Sequence, residues 1–210
     1  MIAIIDYGMG NLRSVEKAFQ AVGYPAEITS DPDRVAKADR VVLPGVGAFG
    51  AAMENLRRSG MDQAVVRAVD SGVPFLGICL GLQLLFTESD ELGLFRGLDI
   101  IPGRVVQFFQ PEDRSPETDR LKVPHMGWNR LDVRTPAPVL SGFPDGGMVY
   151  FVHSFYVNPV DRGVVAATSR HGVDFCAAVW KDNVFASQFH PEKSGSLGLR
   201  MVKNFAEWNI

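Results

Sequence analysis

In the first half of the chain, short β-rich runs alternate with longer stretches in which apolar residues recur every three to four positions. The runs are "IAIID" (2–6), "YPAEIT" (24–29), "RVVLPG" (40–45) and "VPFLGI" (73–78); the helical patterns cover about Asn11 to Val22 and 51–70. This is the βαβ rhythm of a parallel sheet with helices on both faces. A segment such as "VVL", apolar at every position, fits it, because a strand covered on both sides has no polar face. After about Asp99 the rhythm changes. β-Branched and aromatic runs at 104–109, 121–133, 148–157, 163–169, 174–181 and 184–189 are separated by turn residues and predict antiparallel strands that extend or flank the sheet. "KDN" (181–183) is placed as a hairpin turn. "QPEDRSPETDR" (110–120), polar with two prolines, predicts a mobile surface loop, and a last helix runs from about Ser196 to Trp208.

Composition narrows the class. A chain of 210 residues can bury one sizeable core and is short for two, so residues 1–210 are expected to form one domain. Hydrophobic residues at 46% and charged residues at 21% are ordinary for a globular protein. A net charge of −3 without a basic run gives no reason to expect a nucleic-acid or anionic-membrane surface. The N-terminus "MIAIIDYGMG" lacks a positive leader region and its apolar stretch stops at Asp6, so it predicts a first strand, not a signal peptide. The two cysteines form neither a disulfide framework nor a zinc spacing, and a reducing cytoplasm suits them.

The chemistry starts at "GICLGLQ" (77–83). A cysteine in an apolar run usually packs as a small hydrophobe. Here Gly77 and Gly81 flank Cys79 at −2 and +2, the spacing of a strained strand-to-helix elbow that exposes a nucleophile. The following "LQLLF" has helical character, and a helix N-terminus favours a thiolate. A thiol nucleophile needs a base, and the base needs a group to orient it. Of the four histidines, His190 ends "VFASQFH" and precedes Pro191 and Glu192. In extended backbone residues two apart point the same way, so Glu192 can lie beside the imidazole.

The loop "PGVG" (44–47) follows a strand. "GVGAFG" (45–50) formally matches a dinucleotide fingerprint, but no acidic residue ends a following strand about 20 residues on. The better reading turns a backbone N–H of this loop toward an oxyanion, paired with the N–H of Leu80. Cys176 lacks flanking glycines and reads as core, and His171 precedes Gly172 in a turn. The His153-Ser154 pair hints at a serine hydrolase, but no glycine elbow surrounds Ser154. No metal-ligand spacing is visible.

With these motifs together, the chain resembles the class I (triad-type) glutamine amidotransferases over its whole length and in the expected order. "DYGMGNLRSV" (6–15), "LPGVGAFG" (43–50), "HMGWN" (125–129), "YFVHSFY" (150–156) and "HPEKSG" (190–195) bring it nearest to the branch of glutaminase subunits that serve imidazole glycerol phosphate synthases in histidine biosynthesis. The resemblance implies a flavodoxin-like three-layer α/β fold, its sheet mostly parallel with an antiparallel extension in the C-terminal half. It implies that Cys79 attacks the side-chain amide of L-glutamine, that His190 protonates the leaving ammonia, and that Glu192 orients His190. Val46, Gly47 and Leu80 match the oxyanion-hole backbone; Gly47, Gln83, Ser154 and Phe155 match residues around the glutamine, with Gln83 at its amino-acid end. No cofactor and no metal are implied.

The resemblance also implies a partner, a (β/α)8-barrel cyclase that forms a heterodimer with this chain, receives the ammonia and makes imidazole glycerol phosphate and AICAR. Asn11, Trp128, Asn129 and Lys193 match positions facing that barrel, and His125 is a further interfacial candidate. The isolated chain is expected to be nearly silent, with the Val46 loop holding its N–H away from the oxyanion until the cyclase is occupied. Two alternatives stand beside this reading. "HMGWN" and "HPEKSG" argue against a glutaminase for another synthase or a γ-glutamyl hydrolase. The intact Cys79, His190 and Glu192 argue against a non-catalytic binding module.

Overall fold

Ile2, Ala3, Ile4 and Ile5 are all buried because the strand they form, β1 (Ile2–Ile5), carries helices on both faces. The computed structural model describes residues 1–111, 115–116 and 118–210. After β1 come α1 (Leu12–Ala21), β2 (Ala26–Thr29), α2 (Pro32–Ala36), β3 (Arg40–Gly45), α3 (Phe49–Ser59), α4 (Met61–Asp70), β4 (Phe75–Cys79) and α5 (Leu80–Leu84). The chain continues with β5 (Phe86–Ser89), β6 (Phe95–Arg96), β7 (Ile101–Gln107), β8 (His125–Arg130), β9 (Asp132–Val133), β10 (Met148–His153) and β11 (Phe155–Pro159). β12 (Val165–His171), β13 (Val173–Lys181), β14 (Val184–Ser187) and α6 (Gly195–Glu207) complete it.

Among the described residues the main sheet runs β2-β1-β3-β4-β14-β13-β11-β7-β5-β6, with β12 and β9 added beside β13. The half containing β2, β1, β3, β4 and β14 is parallel, and β13, β11, β7 and β12 join it by antiparallel pairing. The mostly parallel α/β sheet with an antiparallel extension is therefore as expected. Strand alternation divides the core into two layers. Ile2, Ile4, Val42, Leu76 and Ile78 pack against α1 and α6, where the rings of Phe19 and Phe205 meet edge to face at 6.1 Å. Ala3, Ile5, Val41, Leu43 and Phe75 pack against α2, α3 and α4. Each fully buried Phe or Leu in these layers contributes about 1.5–3 kcal/mol of transfer free energy. No described helix is long and apolar enough to cross a membrane.

Three expectations are corrected. The helical pattern at 51–70 is two helices, broken at Gly60, whose φ of +71° ends α3 in a left-handed turn. The single run at 148–157 is two strands that belong to different sheets: β10 pairs with β8 in a separate two-stranded sheet, and β11 pairs with β7 and β13 in the main one. Of the run at 121–133, only His125–Arg130 and Asp132–Val133 are strand. The hairpin turn at 181–183 is present, with Asp182 at φ +50° between β13 and β14. The expected loop at 110–120 falls partly on residues 112–114 and 117, outside the described residues; Thr118–Arg120 form a short 3-10 turn.

Candidate active site

Cys79 is the last residue of β4, which lies inside the parallel half between β3 and β14, and the cap of α5. Its φ of +56° and ψ of −108° place a non-glycine residue in left-handed space, a strain of order 1–3 kcal/mol that surrounding structure must hold. The neighbouring glycines make that possible. A Cβ at Gly81 would run into the Leu43 carbonyl oxygen, and one at Gly77 would come within 2.9 Å of the Ala186 Cβ and 3.0 Å of the Gly81 oxygen. The elbow read from the sequence is thus a close approach of three backbones. Gly81→Ala should gain helix propensity of about 1 kcal/mol, but the backbone overlap wins. The expected loss is at least about 3 kcal/mol in urea unfolding, and a variant as stable as the parent would contradict this packing.

His190 lies beyond the end of β14, the strand next to β4, in a segment pinned by hydrogen bonds. Its N–H donates to the Tyr150 oxygen (2.9 Å), while Ser194 Oγ donates to the His190 oxygen (2.6 Å) and accepts from the Tyr150 N–H (3.0 Å). His190 Nδ1 is 2.7 Å from Glu192 Oε1, with both side chains 2% exposed. A carboxylate at Nδ1 fixes the proton there and leaves Nε2 to accept. Nε2 is buried without a hydrogen bond of good geometry to protein, and the Cys79 side chain is the thiol with which the ring interacts. Burial works against an imidazolium, but the neighbouring Cys79 sulfur and the hydrogen bond and charge of the Glu192 carboxylate outweigh it and push His190 up to about 9 from an ordinary 6.5.

The sign of the linkage follows from that shift. With the folded-state pKa above the unfolded one, this stabilisation is complete below pH 6.5 and is lost as pH rises through about 9. Urea midpoints of the parent are expected to fall across that window, and those of Cys79→Ala, which lacks the sulfur beside the ring, to fall less. Parallel profiles would contradict the coupling of His190 to Cys79.

Cys79 opens onto a cleft of about 320 Å³, at the small end for ligand sites. Val46, Gly47, Leu80, Gln83, Ser154 and Phe155 line it, so the structure brings every expected oxyanion and substrate position to the same cleft as Cys79. Gly47 has φ +107°, and Val46, 40% exposed, stands at the rim. Gln83 Nε2 donates to the Phe155 oxygen (3.0 Å) and to Gln188 Oε1 (3.1 Å).

Gln188 was missed in the sequence. Fully buried, it donates through Nε2 to Cys79 Sγ at 3.7 Å. The only signal was its place two residues before His190, just past the end of β14 and ahead of the 3-10 turn Pro191–Lys193 that carries Glu192. Tyr7 was missed too: its buried hydroxyl has no protein partner, lies against Gly45, and is pushed up by burial and by the Cys79 charge.

The remaining candidates separate. Trp128 is 53% exposed and packs edge to face on Tyr150 at 6.2 Å; Lys193 Nζ stands 5.9 Å over the same ring, and Asn11 is exposed. Asn129 lies on the opposite face of β8, its side chain turned inward to His125 and the Arg170 oxygen. Cys176 is core, its thiol pushed up to about 12 by burial. Among the described residues no group of three or more His, Cys, Asp or Glu side chains could hold a metal ion. The arrangement offers a nucleophile, a base of fixed tautomer and backbone amides at the start of a helix, the parts of an acyl-transfer site.

Comparisons agree with this chemistry. The family model described as glutamine amidotransferase class-I matches residues 3–208. A Syntrophotalea carbinolica protein named imidazole glycerol phosphate synthase subunit HisH is 61% identical over 99% of this chain and 100% of its own length. A protein of the same name from Geobacter sulfurreducens is 54% identical over 98% of each. Among solved structures, one described as a glutamine amidotransferase superposes with a TM-score of 0.74 at 20% identity, covering 99% of this chain and 100% of that one. PurLQS from Thermotoga maritima does so with a TM-score of 0.72 at 20% identity, covering 98% and 97%.

Proposed function

The chain belongs to the class I glutamine amidotransferase family, and on that premise we propose that residues 1–210 act as one amidotransferase domain, the glutaminase subunit of an imidazole glycerol phosphate synthase. The observation that carries the mechanism is the buried His190–Glu192 pair, with Nε2 left over for a thiol on a strained elbow at the mouth of the cleft. Relatives that share half or more of their residues with this chain support the choice of synthase.

L-Glutamine occupies the cleft, its amino-acid end toward Gln83 and the backbone of Ser154 and Phe155. With His190 raised to about 9, the proton of the Cys79–His190 pair rests on the imidazole, and the sulfur attacks the amide carbon. The negative charge that develops on the oxygen is met by the N–H groups of Val46 or Gly47 and Leu80. His190 then gives its proton to the nitrogen as the C–N bond breaks, releasing ammonia and leaving a γ-glutamyl thioester. A water activated by His190 cleaves the thioester to glutamate and restores the thiol. Glu192 holds the imidazole in register and supports its positive charge throughout.

The ammonia passes to a (β/α)8-barrel cyclase bound as a heterodimer over the surface formed by Asn11, Trp128 and Lys193, next to Asn129, and that subunit makes imidazole glycerol phosphate and AICAR. The setting is the cytoplasm, where the two free thiols stay reduced. The test is ammonia release from L-glutamine by the chain alone and mixed with a histidine-pathway cyclase and its nucleotide substrate. Strong stimulation in the mixture is expected. Equal release with and without the cyclase would move the chain to another branch of the family.

A further inference from the structure

Three of the four histidines have no part in the mechanism above, and two of them are joined to the cleft. Every hydrogen bond between β8 and the cleft has a determinable direction. The Arg130 N–H donates to Asn129 Oδ1 (2.8 Å), so the other amide atom is nitrogen; it donates to the Arg170 oxygen (2.8 Å) and to His125 Nε2 (3.1 Å). His125 Nε2 therefore accepts, and the His125 proton sits on Nδ1, 2.9 Å from His153 Nε2. His153 Nε2 accepts in turn, so its proton is on Nδ1 and is donated to the Phe155 oxygen at 2.8 Å.

Working back from the carbonyl, which can only accept, gives the same two tautomers. The Phe155 oxygen takes its second hydrogen bond from Gln83 Nε2, which also donates to Gln188 Oε1, and Gln188 Nε2 donates to Cys79 Sγ. Burial among Phe108, Phe151 and Phe175 keeps both rings neutral: His125 is pushed down to about 4 and His153 to about 3.

We propose that Asn129, His125 and His153 are positioning residues, a hydrogen-bond relay of fixed direction that ties β8 to the Phe155 carbonyl and sets that wall of the glutamine cleft. This rests on reading the cleft as the glutamine site. β8 turns His125 and Asn129 inward and Met126 and Trp128 outward, at 62% and 53% exposure, so a shift of the strand under a partner moves the relay and the cleft wall together. The position of the relay explains why buried histidines with no proton to transfer stand between two sheets. Each is a rigid unit with one donor and one acceptor, and losing one strands a buried polar group on either side.

The relay itself is tested on the full parent chain near neutral pH by long-range proton–nitrogen correlation spectra of the imidazoles. His125 and His153 are expected neutral with the proton on Nδ1; a proton on Nε2 of either ring overturns the relay, whatever the protein acts on. Its role is tested by glutamine kinetics of the complex with the cyclase. His125→Phe, which keeps a ring in the aromatic packing, is expected to raise the glutamine KM about tenfold with kcat within about twofold. His125→Gln, which has a donor and an acceptor, is expected to recover most of the loss. An unchanged KM in His125→Phe, or no recovery with Gln, overturns the positioning role. Failure of the glutaminase reading would appear separately, as a parent chain that releases no ammonia in the complex.

Discussion

Replacing Cys79 with alanine is expected to lower glutamine-dependent ammonia release by the stimulated complex at least about 10³-fold. Among the described residues the thiol is the one nucleophile that lines the cleft from a strained elbow, and Ser154, which also lines it, has no elbow of its own. The same change should leave the fold standing, at the cost of the part of the His190 stabilisation that depends on the sulfur. The sulfur's hydrogen bonds are long, 3.9 Å to the Val152 oxygen and 3.7 Å from Gln188 Nε2, and alanine relieves none of the backbone constraint. Glutamine should therefore still bind to the variant while turnover is lost. A variant that kept more than about a hundredth of the parent rate would remove Cys79 from the mechanism.

Glu192→Gln has the second largest expected effect, a fall in kcat of about 10²–10³-fold. The amide oxygen of glutamine can still accept from His190 Nδ1, so the ring keeps its place and the elbow is untouched. What goes is the negative charge, one of the contributions that raise His190 to about 9 against the cost of burial. Without it the imidazolium that must form during amide cleavage is a poorly solvated cation at 2% exposure. The histidine-dependent limb of the pH–rate profile is expected to shift toward lower pH as well. An unchanged kcat would show that the carboxylate only packs against the ring.

How much of this was legible depended on whether the signal was local. The elbow could be read because the two glycines and the cysteine record a contact between consecutive elements, β4 and α5, within five residues. The His190–Glu192 pair could be read because the two are close in the chain, although the 3-10 turn Pro191–Lys193, not extended backbone, brings them together. Gln188 is equally near His190 in the chain, but an amide has no distinctive chemistry in a sequence, and it drew no notice beside a histidine.

The break at Ser154 was invisible for a different reason. "YFVHSFYV" is β-prone throughout, and the switch from β10 to β11 is set by pairing with distant β8 and β7. β5 escaped notice because its Phe86 continues the apolar run of Leu84 and Leu85 at the end of α5 with no turn residue between them, so the change from helix to strand leaves no break in the pattern. The division of 51–70 did leave a trace: Arg57, Arg58 and then Gly60 are basic residues in a last helical turn followed by a C-cap glycine. Asn129 was placed toward the partner by the resemblance alone; adjacent residues of a strand point to opposite faces, and its side chain bonds to His125 and the Arg170 oxygen while Trp128 is exposed.

The most direct test of the central claim, covalent catalysis by Cys79, is acid quench of the complex during steady-state turnover of L-glutamine, followed by mass spectrometry of its proteolytic peptides. The account predicts a γ-glutamyl group on the peptide containing Cys79, carried by the sulfur and absent in the Cys79→Ala protein. Ammonia release at the full rate with no acyl group on that peptide, while a slow-substrate control traps none either, would mean that water attacks glutamine directly and that the elbow serves another purpose.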